Sequence, residues 1–519
     1  MRMLRRRMAC AALAGTLGGV PVAFADEREE LQGLRDTTLR LIQLLVEQGV
    51  LNKERADALI KQAQQPRAPS ATPPGAATKP AAPTVRVPYI PESVKAEIRD
   101  QVKEDVVRQA KAERWGDVNA IPEWTQHIKL YGDVRLRYQG DRFRNDDPEL
   151  TSFLQQSGTD ITNTTENRDR LRVRARLGIE ATVADWVRAG ARLATGTATN
   201  PVSTNQTLGT TSRPYSTFFD LAYIQLDPAP WFSASGGRIP NPWFGTDLLW
   251  ASDLTFEGVQ TTFKPQLSKS TSFFLTTGAF PIQEIERSAT NRAKSKWLLG
   301  IQAGAQWKST AGHGFKVGAA IYDYRNVEGI PNEQGFSDRN ATAPQFRQKG
   351  NTVFNIDGDG DPNTDLFALA SKFREVNVTA AWDLELAGGV HLIAVGDYVK
   401  NIGFDESEIA TRTQGRVANL QPKTKGYLAR VAFGMPGLEK RGAWQASLGY
   451  KHLERDAVLD AFTDGDFRLG GTDAKGYVFA ASYVFAKQSW LTFRYLSANP
   501  ISGPPLRIDV MQLDLNARF

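Results

Sequence analysis

From His127 onward the chain alternates apolar and polar residues with a period of two, the repeat of a strand with unlike faces. In the first such segment Ile128, Leu130, Val134, Leu136 and Tyr138 fall on one side, and Lys129, Tyr131, Asp133, Arg135 and Arg137 on the other. The final segment repeats the pattern, with Met511, Leu513, Leu515, Ala517 and Phe519 set against Gln512, Asp514, Asn516 and Arg518. Sixteen strands can be placed, over 127–139, 168–183, 186–195, 217–227, 231–238, 255–264, 270–280, 297–307, 314–324, 373–384, 390–401, 425–435, 442–453, 475–486, 489–497 and 507–519. The fourth, eleventh, twelfth and fourteenth are apolar on both faces, so alternation leaves their registers open.

The connections alternate in length. Long ones occupy 140–167, 196–216, 239–254, 281–296, 325–372, 402–424, 454–474 and 498–506, and short turns such as Ala184-Asp185 and Lys487-Gln488 lie between them. An even strand number with long loops at one end and short turns at the other is the pattern of an outer-membrane barrel. Trp186, Trp231, Trp307, Trp382, Trp444 and Trp490 all fall within a few residues of a short turn, where ring and N–H can meet a headgroup zone. An open sheet in hydrocarbon would leave edge N–H and C=O groups unpaired at several kcal/mol each, so the first and last strands must pair. The expectation is an all-β fold, a 16-stranded antiparallel transmembrane β-barrel over 127–519 enclosing an aqueous lumen, with N-terminal periplasmic helices.

Before the barrel the period is helical. Leu31, Leu34, Thr38, Leu41 and Leu45 form the seam of a short coiled coil or of a helical hairpin within 26–65, and both readings fit. A Pro/Ala-rich linker spans 66–90, and an amphipathic helix over 91–116 carries Val94, Ile98, Val102 and Val106 on one stripe. Residues 1–25 read as an export signal, with a basic stretch from Arg2 to Arg7, an apolar run to Val20 and Ala23-Phe24-Ala25 before Asp26. The single cysteine, Cys10, lies inside that signal.

Composition then limits the function. No later run reaches eighteen apolar residues, which excludes a transmembrane helix but not barrel strands. A net charge of +6 on 519 residues, with no clustered basic helix or zinc pattern, gives no case for nucleic-acid binding. His127, His313, His391 and His452 show no metal-ligand or nucleophile spacing, so no enzyme is indicated.

Candidate chemistry lies on the polar face of the second strand. Arg168, Arg170, Arg172, Arg174 and Arg176 alternate with Leu171, Val173, Ala175 and Leu177. An arginine facing lipid near mid-membrane costs roughly 2–4 kcal/mol, so the five must point into the lumen as a ladder, joined by Arg135, Arg137, Arg188 and Arg192. The loop after Arg238 holds Asp247 and Asp253, with Glu257 just beyond, among Trp243, Phe244 and Trp250. Folded inward, it would form a constriction with carboxylates facing arginines across a transverse field. The alternative is that the arginines bond loop carboxylates and stiffen the wall. The excess of lumen-facing basic over acidic residues predicts mild anion preference. In the fifth long loop Asp357, Asp359 and Asp361 are spaced like ligands of a calcium loop, but Leu366 replaces the bidentate Glu, so a solvated acidic loop is the competing reading. No other cofactor is expected.

The segment Val87-Pro88-Tyr89-Ile90-Pro91-Glu92-Ser93-Val94-Lys95, the charged helix after it, Gly132-Asp133-Val134-Arg135-Leu136-Arg137 and Phe519 together resemble the putative-porin family of Gram-negative outer membranes. There is a looser likeness to phosphate-selective porins. The resemblance covers about residues 85–519 and implies a homotrimer in outer-membrane lipid that passes small hydrophilic or anionic solutes. Phe519 resembles the aromatic end signal read by barrel-assembly machinery. The competing function is an envelope tether whose helical arm binds cell wall or a periplasmic partner.

Overall fold

The computed structural model describes residues 127–151, 161–359, 361 and 364–519, so the export signal, the helical segments and the linker lie outside the described residues. Sixteen strands close into one antiparallel barrel. In chain order they are β1 (Ile128–Phe143), β2 (Arg168–Ala184), β3 (Val187–Thr195), β4 (Thr217–Ala229), β5 (Phe232–Pro240), β6 (Thr255–Phe263), β7 (Thr271–Gln283) and β8 (Lys296–Lys308). They continue as β9 (Gly314–Arg325), β10 (Arg374–Glu385), β11 (His391–Asn401), β12 (Lys425–Gly434), β13 (Trp444–Leu453), β14 (Ala474–Ala486), β15 (Ser489–Pro500) and β16 (Ile508–Arg518). All sixteen expected strands are present. Several run a few residues further at the long-loop end, to Phe143, Gln283 and Pro500, because pairing continues there after lipid has stopped imposing strict alternation.

Closure joins β1 to β16, with Asp133 opposite Arg518 and Phe143 opposite Ile508. Gly132 and Phe519 exchange both backbone bonds, at 2.9 and 3.0 Å. The Phe519 ring covers Gly132 so closely that a Cβ there would come within 2.5 Å of it. This glycine is therefore a packing requirement of the seam.

The outer face is apolar, with Leu130, Leu136, Leu171, Leu177, Ile224, Ile301, Leu448 and Leu515 all exposed. On β8 the outward rings of Trp297 and Trp307 bracket this band. Ten residues span about 33 Å along a strand, or about 25 Å along the membrane normal at a tilt near 40°, which matches the apolar band of an outer-membrane barrel.

Two departures from simple alternation explain strands whose registers the sequence left open. In β4 the register slips, since Arg192 faces Leu221 while Leu193 faces Phe219. The extra residue, Asp220, and Leu221 are both buried, so an apolar side chain joins a carboxylate on the lumen side. On β11 and β12, Val399 and Leu428 are inward and buried because loops fold down against them. The lumen is thus not wholly aqueous. A cluster that includes Trp243, Leu248, Trp250, Phe256, Phe280, Tyr322, Tyr324 and Leu459 packs inside the barrel.

β3 ends at Thr195 while its neighbour β2 continues, which would leave an unpaired edge. Gln206–Thr207 of the second long loop fills it, pairing with Arg172 and Val173, and Leu208 N bonds Leu171 O at 2.9 Å.

Candidate functional site in the barrel lumen

The loop between β5 and β6 crosses the lumen, its course fixed by one packed ring and then by polar groups on the wall. Trp243 lies on β8 over Gly300, where a Cβ would meet its ring at 2.6 Å, and its edge meets Tyr322 at 5.0 Å between centroids. Gln302 brackets Phe244, accepting from its N–H at 2.8 Å and donating to its carbonyl at 2.7 Å. Thr246 Oγ1 donates to Asp397 on β11 at 2.6 Å. Asp247 pairs with Arg430 on β12, and Lys451 on β13 donates to its carbonyl at 2.5 Å. The loop then returns, and Asp253 meets Arg174 and Arg176 of β2 at 3.0 and 3.4 Å. Thr204 Oγ1 adds a bond to Asp253 at 3.1 Å.

Burial by itself would raise the carboxyl of Asp253. The guanidiniums of Arg174, Arg135 and Arg176 outweigh it and hold the group below the usual carboxylate range. Asp247 is lowered in the same way, burial being overcome by Arg430 and Lys451. Both loop carboxylates are therefore fixed negative charges at neutral pH.

A second inward loop, 454–473, has no periodic pattern that would mark its course in the sequence. Ala251 N donates to Phe462 O at 2.9 Å, which ties it to the first loop. Its Asp466 sits between Arg137 on β1 and Arg494 on β15, at 3.0 and 2.9 Å. Arg137 also holds Asp514 of β16 through two bonds of 2.7 and 2.8 Å.

The expected arginines thus occupy distinct situations. Arg170 pairs with Asp141 at 2.8 Å, Arg174 and Arg176 with Asp133 at 2.7 and 2.8 Å, Arg188 with Asp227 at 2.7 Å and Arg192 with Asp220 at 2.8 Å. Arg238 pairs with Glu257 at the root of the crossing loop. Arg168 is exposed. Arg135 and Arg172 make no ion pair among the described residues; they donate to the amide oxygens of Asn205 at 2.5 Å and Gln139 at 3.1 Å. Their Nε atoms are buried without a partner. Asp133, Asp141 and Asp514 share the inward parity of Arg135 and Arg137 or face them across a register, so the sequence could have shown these wall carboxylates as partners. Asp466 could not have been found that way, since a loop has no parity.

Elsewhere, Asp357 Oδ1 accepts from the amides of Gly358 and Asp359 at 2.6 and 3.3 Å, and Asp359 Oδ1 from Asp361 N at 2.7 Å. These carboxylates turn their own backbone, and among the described residues no group of His, Cys, Asp or Glu is arranged to hold a metal.

The lumen therefore holds inward arginines of β1, β2 and β3, most of them ion-paired, and two loops that fold into it. Residues 35–519 match a family model described as Putative porin. No curated protein matches the chain. Solved structures similar to it include the outer membrane channel DcaP of Acinetobacter baumannii, at 11% identity and a TM-score of 0.38, covering 76% of this chain and 97% of that one. OprB of Pseudomonas putida at high pH matches at 8% identity and a TM-score of 0.44, over 76% of this chain and 95% of that one. Salmonella typhi OmpF in complex with daunomycin matches at 15% identity and a TM-score of 0.38, over 76% and 97%. With one family model running from residue 35 to Phe519 over a closed 16-stranded barrel, the chain belongs to the Putative porin family and is a channel protein of the Gram-negative outer membrane.

Proposed function

We propose that the channel passes small hydrophilic solutes by passive diffusion with a mild preference for anions. The observation that carries this reading is the pair Arg135 and Arg172, lumen-side guanidiniums without a carboxylate partner among the described residues, in a wall whose other inward cations are mostly paired. A paired arginine contributes little net field beyond its partner, whereas an unpaired one attracts anions passing within a Debye length of about 8–10 Å. Family membership adds the expectation of a homotrimer in outer-membrane lipid, with Phe519 read during assembly.

Reversal potentials in a tenfold KCl gradient test the selectivity. The native channel should be anion-selective, and replacing Arg135 and Arg172 together by Gln should bring it close to unselective. Cation selectivity in the native protein, or anion selectivity unchanged in the double variant, would overturn the proposal. The apolar cluster inside the barrel favours a second reading, an envelope anchor whose lumen is blocked. Planar bilayers separate the two, because a blocked anchor shows no stable ohmic steps.

A further inference from the structure

A cavity of about 510 Å³ opens on the long-loop side of the crossing loop, away from the arginine ladder. Its size suits a drug-sized or smaller organic molecule. Most of its wall is apolar, built by Phe256, Phe280, Leu298, Phe346 and Phe462 from three strands and two loops. The apolar part of this surface would hold an aromatic or branched aliphatic body.

One charged group makes the cavity specific. Lys296, the first residue of β8, lines it and is only 2% exposed. Its ammonium donates to Ala343 O at 2.7 Å and forms no ion pair among the described residues. An ammonium carries three donors, so this buried cation has capacity for an acceptor that the described residues do not supply. The acidic residues on the same wall do not compensate it. Glu257 is paired with Arg238. Asp460 lies in the loop above, both of its carboxyl oxygens lack a hydrogen-bond partner, and burial pushes that carboxyl up to about 7. Leaving a buried cation without its counter-charge is costly, and a ligand that brings one removes that cost.

We infer that this cavity is a binding site for small organic acids with an apolar body, the carboxylate meeting Lys296 and the body packing among Phe256, Phe280, Phe346 and Phe462. The site lies beside the crossing loop and is separate from Arg135 and Arg172, so it stands whether or not the channel prefers anions.

Benzoate is a suitable probe, with benzyl alcohol as the neutral molecule of the same shape. Isothermal titration of the full-length protein in detergent reads binding without relying on conductance. Benzoate should bind the native protein, benzyl alcohol about tenfold more weakly, and Lys296→Gln should weaken benzoate about tenfold while leaving benzyl alcohol unchanged. Heat-modifiable migration on gels confirms that each variant is a folded barrel. A second variant, Ala461→Phe, fills the cavity without touching the charge and should weaken both probes. Equal affinity for benzoate in the native and Lys296→Gln proteins, equal affinity for the two probes, or no binding of either, would overturn the inference.

Discussion

Asp466→Asn isolates the contribution of one charge to the geometry of the lumen. The carboxylate of Asp466 holds the loop 454–473 against the far wall, with Arg137 Nη1 at 3.0 and 3.2 Å and Arg494 Nη1 at 2.9 Å. At about 3 Å and an effective dielectric of about 20, each guanidinium contributes ~5 kcal/mol of gross attraction. Desolvation of the three groups takes back most of it, and losing one partner of a buried pair nets about 3–5 kcal/mol. The Asp466 side chain keeps 18% exposure to the lumen. That places the expected loss near the lower bound, about 3 kcal/mol, or roughly a hundredfold in the ratio of docked to released loop. The wall should survive, because Arg137 retains Asp514 and Arg494 retains Gln512 at 3.0 Å. Hydrogen exchange of the folded barrel is the direct assay. Amides of 454–473 should lose about two orders of magnitude of protection while the strands keep theirs, and single-channel current should become noisier. An exchange profile within twofold of native over 454–473 would show that Leu459, Phe462 and Phe467 dock the loop by packing alone, and that the ion pairs are incidental.

The remaining predictions concern the seam, the lipid face and pH. Phe519→Ala removes the ring that covers Gly132 and should lower barrel stability by about 1–3 kcal/mol in urea titrations from liposomes; Gly132→Val should do at least as much, since its Cβ would also meet Arg176 O at 2.6 Å, and an unchanged midpoint in both would refute the packing account. Leu177→Arg, on the lipid face beside inward Arg176, should cost about 2–4 kcal/mol in the same titration, whereas assembly at native stability would mean the faces are inverted. Burial raises Asp456 to about 6, against bonds from Thr352, and Asp460 to about 7, against the pull of Arg347. A docked loop that retains protons is favoured where they are bound, so docking of 454–473 should be firmest near pH 4 and weaken as pH rises toward 7. Hydrogen exchange corrected for its intrinsic pH dependence reads this, and Asp460→Asn should flatten the slope; protection that grows with pH would contradict the sign.

The strands, their order and, where alternation is strict, the face each residue presents were legible in the sequence. A barrel strand in lipid must alternate, because every second side chain meets hydrocarbon and the rest meet the lumen, so a local period of two carries the whole topology. Loop lengths and outward tryptophans then fixed which end was which, and the first and last strands had to pair because hydrocarbon offers no partner to an open edge. The inward arginines were legible for the same reason: parity and the cost of charge in lipid leave them one side. What the arginines touch was not legible. Asp253 and Asp466 reach them from loops, and a loop has no repeat to reveal where its carboxylates come to rest. The apolar lining of β11 and β12 reads as ambiguity for that reason, since the loops that cover it lie far along the chain, and the bulge at Asp220 does so because an extra residue shifts the local period. Only the tertiary structure, which brings those loops into the lumen, decides that most of the basic wall is paired and that Arg135, Arg172 and Lys296 have no ion pair among the described residues.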